Sequence, residues 1–104
     1  MEWVGSNAIS MNLDPNKIGM IGFSAGGTAV LGSTLNHSEK NAPNFLVLVY
    51  AYSSYFRNMQ VPADAPPVFI TGATDDSFGF APDFANVYTT WKKAKNPLNS
   101  IFIP

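Results

Sequence analysis

Three short apolar runs, separated by longer segments with helical spacing, constrain the fold of this chain more than any other feature of its sequence. They are KIGMIGF at residues 17–23, FLVLVY at 45–50 and VFIT at 68–71. Apolar runs without polar alternation are typical of strands that are buried on both faces, as in a parallel sheet. We therefore predict a strand at each run, and a fourth strand over residues 100–103.

Segments with helical features alternate with these runs. Apolar side chains recur at helical spacing over residues 2–12 and 24–35, and again in the segment that begins at Pro82. Proline suits the first position of a helix, and Asp83 is favourable near the positive end of the helix dipole. Continuous apolar strands that alternate with helices indicate an α/β fold, with a parallel sheet of about four strands and three helices that cover both of its faces.

The composition excludes several classes of protein and site. The chain has 104 residues, no cysteine, one histidine and a formal charge of −1, so we predict a single domain over residues 1–104 without a basic nucleic-acid surface or a cysteine-ligated metal. The longest apolar run has eight residues, at 45–52, whereas a membrane span needs about 20. Charged residues make up 12% of the chain, about half of the usual share, which suggests that more protein covers part of its surface.

One motif in the chain indicates a chemically reactive residue. Between the first predicted strand and the helix after it, the sequence GFSAGG contains a G-x-S-x-G pattern centred on Ser24. A strand that reverses sharply into a helix lifts the serine hydroxyl out of the turn, and we expect side chains at Gly22 and Gly26 to collide there. We expect Gly27 to let the helix lie close to the sheet, and the amide of Ala25 to be able to bind a developing oxyanion. The alternative is a tight turn in which Ser24 merely caps the helix.

Two segments resemble a known family. The first segment, within residues 3–27, is similar to the nucleophile region of the α/β-hydrolases and reads WV…NA…LDPNKIG…GFSAGG. It is most similar to their acetyl-esterase and xylan-esterase-like branch, related to dienelactone hydrolases, with prolyl-oligopeptidase-type peptidases as cousins. The second segment, APPVFITGATDD at residues 65–76, resembles the strand and loop that carry the acidic residue of the catalytic triad in this family. Thr71 departs from the histidine that usually stands before the glycine of this loop.

The resemblance implies catalytic roles for two residues. Ser24 would be the nucleophile, and Asp75 would be the acid that orients a histidine and stabilises it when protonated. The alternative for Asp75 and its neighbour Asp76 is a solvated turn after a strand. The remaining aspartates are better explained as loop or helix-start residues; they are Asp14, Asp64 and Asp83.

The general base that activates the serine is missing. In this fold the triad follows the chain order Ser, Asp or Glu, then His, and no histidine follows Asp75. The one histidine, His37, comes 13 residues after Ser24, past the predicted helix, where we expect a solvent-facing residue. The resemblance implies that the catalytic histidine follows the last strand, so we expect this chain to be the C-terminal part of an α/β-hydrolase domain. One edge of the strand at 17–23 would then be unpaired and available for self-association.

We therefore expect a serine hydrolase of small-molecule carboxylic esters, with no cofactor or metal and no nucleic-acid or membrane partner, and inactive as this 104-residue chain. Two alternatives remain open, namely a peptidase of the same fold, and a non-catalytic hydrolase remnant that associates with itself. Aromatic residues near the strand ends are candidates for a substrate pocket, although local packing explains them equally well. These are Tyr50, Tyr52, Tyr55, Phe56, Phe78 and Phe80.

Overall fold

A computed structural model of the chain describes residues 1–36, 42–56, 60–79 and 81–103. Its elements follow the predicted order of helices and strands. They are α1 (Glu2–Asn7), β1 (Gly19–Phe23), α2 (Ala25–Leu35), β2 (Phe45–Val49), a 3₁₀ turn (Ser54–Phe56), β3 (Val68–Ala73), α3 (Ala81–Lys93) and β4 (Leu98–Ile103). None of the helices described is long and apolar enough to cross a membrane.

The first helix is shorter than predicted. It ends at Asn7 instead of reaching residue 12, and turns follow it. Asn12 adopts a φ of 60°, and the N–H of Leu13 donates to the carbonyl of Ala8 at 2.8 Å, which closes the segment and turns the chain away from the helix axis. Asp14 then stabilises the predicted turn, because its Oδ1 accepts from the backbone N–H of Asn16 at 2.9 Å.

Smaller differences occur at other boundaries. β1 begins at Gly19, two residues later than predicted, since the N–H of Ile18 is bound to the side-chain oxygen of Asn44 at 2.8 Å. β3 extends two residues further, to Ala73. α3 begins at Ala81, so Pro82 is its second residue and not its first.

The strands form one parallel sheet in the order β1-β2-β3-β4. The register places Phe23 beside Val49, and Val49 beside Thr71. The carboxyl ends of all strands therefore lie along one edge of the sheet, which is where open parallel sheets bind ligands. This arrangement confirms the predicted α/β class.

The core lies on one face of the sheet. Paired positions of β2 and β3 point into it, such as Leu46 with Val68 and Leu48 with Ile70. α2 and α3 both contribute to this core, and Trp91 of α3 is fully buried and donates its indole N–H to the carbonyl of Pro66 at 3.1 Å. The prediction of helices on both faces therefore holds for one face in the part of the chain described.

The opposite face is apolar and open. Ile21 and Phe23 of β1 are 59% and 52% exposed, and Phe45 of β2 is 44% exposed. β1 also lies at the edge of the sheet, with β2 as its one partner among the described strands. This surface agrees with the low charge of the chain, because a face that is meant to be covered does not need charged residues.

Candidate active site

Ser24 occupies a strained turn between β1 and α2. Its backbone has φ 52° and ψ −120°, a combination that L-residues with a side chain rarely adopt. Holding a residue in such a region costs about 1–3 kcal/mol and is most often found at functional sites. Ser24 stands at the N-cap of α2, but its side chain makes no capping hydrogen bond. The alternative of a simple helix cap is therefore wrong.

Backbone hydrogen bonds hold this turn against β2. The N–H of Ser24 donates to the carbonyl of Val49 at 3.0 Å. The carbonyl of Ser24 accepts from Gly27, in the first turn of α2, at 3.0 Å, and from Tyr52, beyond the end of β2, at 3.3 Å. The strained conformation is thus fixed by bonds on both sides of the serine.

Two of the three glycines around Ser24 are required by close approach of the backbone. A Cβ at Gly22 would lie 2.5 Å from the carbonyl oxygen of Gly26, which no rearrangement of a side chain could relieve. A Cβ at Gly27 would overlap the side chain of Ala51, so this glycine lets α2 approach the chain after β2, as predicted. A Cβ at Gly26 would meet nothing within 4 Å, and the predicted collision there is wrong.

The first turn of α2 presents a free donor beside the serine. Gly27 and Thr28 both donate their N–H groups to the carbonyl of Ser24. The N–H of Ala25, in contrast, has no acceptor among the residues that the structure describes. A helix N-terminus favours negative charge, so this amide suits an oxyanion formed next to Ser24.

Asp75 lies two residues beyond the end of β3, in an exposed position. The register places Ser24 level with Gly72 of β3, two strands away, or about 10 Å across the sheet. The carboxylate of Asp75 makes no hydrogen bond or ion pair with any described residue, whereas Asp76 accepts from the backbone N–H of Phe78 at 2.8 Å. The loop is therefore shaped by Asp76, and Asp75 remains available for a further partner.

The described residues include no histidine that could act as the general base for Ser24. His37 lies outside the described residues. α2 has 11 residues, so it carries the chain about 16 Å from Ser24 before the segment with His37 begins. No cluster of three or more His, Cys, Asp or Glu side chains that could hold a metal ion occurs among the described residues.

A cavity of about 420 Å³ opens at the carboxyl ends of β2 and β3. Its lining includes Tyr50, Asp76 and Phe78. Tyr50 follows β2 directly and packs edge-on against Phe23 at the end of β1, with 6.1 Å between the ring centroids. The cavity is therefore lined by the chain neighbour of Asp75 and by Tyr50, which contacts the chain neighbour of Ser24, whereas Ser24 and Asp75 themselves are not part of its lining.

The other predicted pocket aromatics differ in their surroundings. Tyr52 lines a second cavity and packs edge-on against Tyr55, which is itself 78% exposed. Phe56 packs against the hydrophobic core, as the local-packing alternative predicted. Phe80 lies outside the described residues.

Sequence reasoning missed the environment of Asp83. This residue does stand in the first turn of α3, as expected for a helix-start residue, but it is only 7% exposed. It accepts hydrogen bonds from Ser53 and Ser54, about 30 positions earlier in the chain, and so ties the loop after β2 to α3. A serine pair in a loop carries no local signal of such a contact.

Comparisons with solved structures identify similar folds. An α/β hydrolase enzyme from a Medee basin deep-sea metagenome library matches 97% of this chain at 28% identity, with a TM-score of 0.79 over 43% of its own length. A putative carboxylesterase from Lactobacillus plantarum matches 98% of the chain at 25% identity, with a TM-score of 0.81 over 52% of its length. An acetyl ester-xyloside bifunctional hydrolase from Caldicellulosiruptor lactoaceticus matches 99% at 23% identity, with a TM-score of 0.82 over 52% of its length.

This chain thus spans about half the length of the solved structures that it matches. No protein-family model matches the sequence, and no curated protein matches it.

Proposed function

We propose that this chain, which has the fold of about half an α/β-hydrolase domain, acts as the nucleophile-bearing part of a serine hydrolase of carboxylic esters. The observation that carries the proposal is the backbone of Ser24, at φ 52° between β1 and α2, with a side chain that makes no capping bond to the helix. The similar structures include an α/β hydrolase enzyme and a putative carboxylesterase, which supports ester hydrolysis as the reaction class.

The proposed chemistry begins at the serine hydroxyl. Oγ of Ser24 attacks the ester carbonyl carbon, and the electrons of the C=O bond move to its oxygen. The N–H of Ala25 donates to this oxyanion. When the tetrahedral intermediate collapses, the alcohol leaves with a proton and the acyl group stays on Ser24, from which water later releases it as a carboxylic acid.

Serine needs a base to lose its proton at neutral pH. We infer that an imidazole outside these 104 residues takes this proton through one ring nitrogen. Asp75 would accept a hydrogen bond from the other ring nitrogen and stabilise the charged imidazolium. The carboxylate of Asp75 is exposed and has no partner among the described residues, which supports this role. Because His37 is the one histidine of the sequence and follows the far end of α2, we propose that the chain by itself does not turn over esters.

A chimera tests the proposal. In it, this chain replaces the matching half of the Lactobacillus plantarum putative carboxylesterase, and the rest of that protein is kept. We expect the chimera to hydrolyse p-nitrophenyl acetate, and the Ser24→Ala chimera to lose turnover by about 10³-fold or more. Turnover of a peptide p-nitroanilide in preference to the ester would favour the peptidase alternative. A folded chimera whose ester turnover is unchanged by Ser24→Ala would refute the role of Ser24.

A further inference from the structure

Thr28 of α2 departs from the usual behaviour of a threonine in a helix. The hydroxyl of a helical threonine commonly donates to the carbonyl four positions earlier. Thr90 of α3 does so, since its hydroxyl donates to the carbonyl of Asn86 at 2.9 Å. The hydroxyl of Thr28 donates instead to the carbonyl of Tyr52, 24 positions along the chain. This hydrogen bond ties the first turn of α2 to the chain after β2.

The carbonyl four positions before Thr28 belongs to Ser24, and backbone donors already occupy it. It accepts from three N–H groups, those of Gly27, Thr28 and Tyr52, at 3.0, 3.4 and 3.3 Å. Ser24, Thr28 and Tyr52 therefore form a closed ring of hydrogen bonds. The backbone of Thr28 bonds Ser24, the hydroxyl of Thr28 bonds Tyr52, and the backbone of Tyr52 returns to Ser24.

The segment that Thr28 anchors is itself strained. Tyr50 has a φ of 37°, which is rare for a residue with a bulky side chain. A strained segment persists only where the surrounding bonds hold it in place. Ser24 holds both ends of this segment, because its N–H donates to the carbonyl of Val49 and its carbonyl accepts from the N–H of Tyr52. The hydroxyl of Thr28 is a second anchor at the Tyr52 end.

The direction of the Ser24 carbonyl decides where the N–H of Ala25 points. Both groups belong to one planar, trans peptide unit. The carbonyl and the N–H of such a unit point in opposite directions. Donors that hold the carbonyl of Ser24 towards α2 and Tyr52 therefore turn the N–H of Ala25 to the other side of the turn, where none of the described residues accepts it.

We propose that Thr28 is a positioning residue for the oxyanion donor of the ester hydrolysis, an inference that rests on the proposed function. The hydroxyl of Thr28 holds Tyr52, Tyr52 holds the carbonyl of Ser24, and this carbonyl fixes the direction of the N–H of Ala25. The negative charge on the ester oxygen develops only on the way to the tetrahedral intermediate. A loss of this alignment therefore slows the reaction without weakening the binding of the ester.

Three variants of the chimera test this role. Thr28→Val removes the hydroxyl at nearly the same side-chain size, and Thr28→Ser keeps the hydroxyl. Thr90→Val is the matched control, because it also removes a half-buried threonine hydroxyl, one that bonds within its own helix.

We expect Thr28→Val to lower kcat and kcat/KM for p-nitrophenyl acetate equally, by about 10- to 100-fold, since the donor is misaligned but not removed. Thr28→Ser should stay within about threefold of the unaltered chimera, and Thr90→Val within about twofold. A merely structural role of Thr28 would lower the midpoint of urea unfolding but leave kcat per folded molecule unchanged. Unchanged kcat in the folded Thr28→Val chimera, or a Thr28→Ser chimera as slow as Thr28→Val, would overturn the proposal.

Amide hydrogen exchange in the ¹⁵N-labelled 104-residue chain tests the same link without any activity. We expect Thr28→Val to speed exchange of the Tyr52 amide by about tenfold or more, because this end of the strained segment opens more readily. Thr90→Val should leave the exchange of this amide as it is. Unchanged exchange at Tyr52 in the Thr28→Val chain would overturn the proposal, and this result does not depend on whether the variant chimera folds.

The two proposals fail separately. A folded chimera that is inactive with Thr28 intact would refute the ester hydrolysis, while faster exchange at Tyr52 in the Thr28→Val chain would leave the link from Thr28 to the Ser24 peptide in place. An active chimera that is unaffected by Thr28→Val would refute the role of Thr28 alone.

Discussion

The backbone conformation of Ser24 predicts how substitutions at this position change the stability of the chain, whether or not the chain is active. At φ 52° a residue with a Cβ is strained by about 1–3 kcal/mol, and glycine is not. Ser24→Gly removes this strain, whereas Ser24→Ala keeps the Cβ and therefore keeps it. Glycine also loses about 0.5–1 kcal/mol relative to alanine, because it has more conformational freedom in the unfolded chain. We therefore expect the Gly variant to be more stable than the Ala variant by about 1 kcal/mol.

Urea unfolding followed by far-UV circular dichroism measures this difference, and thermal unfolding should show a gap of about 4–8 °C for a domain of this size. Ala29→Gly is the matched control, because this exposed residue lies inside α2 at ordinary helical geometry. There glycine should cost about 1 kcal/mol. If Ser24→Gly is less stable than Ser24→Ala by a similar amount, Ser24 does not occupy the strained turn and the account of the site is wrong.

Three further predictions follow from the same structure. Gly26→Ala should stabilise the chain by about 0.5–1 kcal/mol, since its Cβ enters open space. Gly27→Ala should destabilise the chain by about 1–3 kcal/mol, because its Cβ overlaps the chain after β2. Equal midpoints of urea unfolding for the two variants would contradict the packing described. A fluorophosphonate probe should not label Ser24 stoichiometrically in the 104-residue chain, as read by intact mass, because no base lies beside it among the described residues. Complete labelling would show that the chain contains a working base. The chain should self-associate through β1 and the open apolar face of the sheet, and Ile21→Lys should weaken this association as measured by sedimentation velocity. An unaltered chain that stays monomeric at about 100 μM would contradict this prediction.

The strands and the turn around Ser24 could be predicted because their signals are local. A continuous apolar run such as that of residues 45–50 predicts a strand, but the expectation that β2 is buried on both faces is wrong for the described residues, because Phe45 is 44% exposed on the open face. The glycines at positions 22 and 27 indicate from the sequence that β1 and α2 approach each other closely, and the structure shows this approach. The prediction for Gly26 is wrong because a collision depends on which atoms lie opposite the added Cβ, and here that space is open.

Long-range contacts could not be predicted in this way. The burial of Asp83 depends on Ser53 and Ser54, which lie in another loop and have ordinary turn residues around them. The placement of α2 and α3 on the same face follows from the strand order, which the sequence does not state. The role of Asp75 as the triad acid is implied by the resemblance alone and stays a prediction, because its carboxylate has no partner among the described residues.

The central claim is that Ser24 is the nucleophile of an ester hydrolase. The most direct test is to treat the chimera with a fluorophosphonate probe and to locate the adduct by tandem mass spectrometry. We predict one adduct per chain, on Ser24, and none in the Ser24→Ala chimera. An adduct on another residue, or a folded and unlabelled chimera, would contradict the claim.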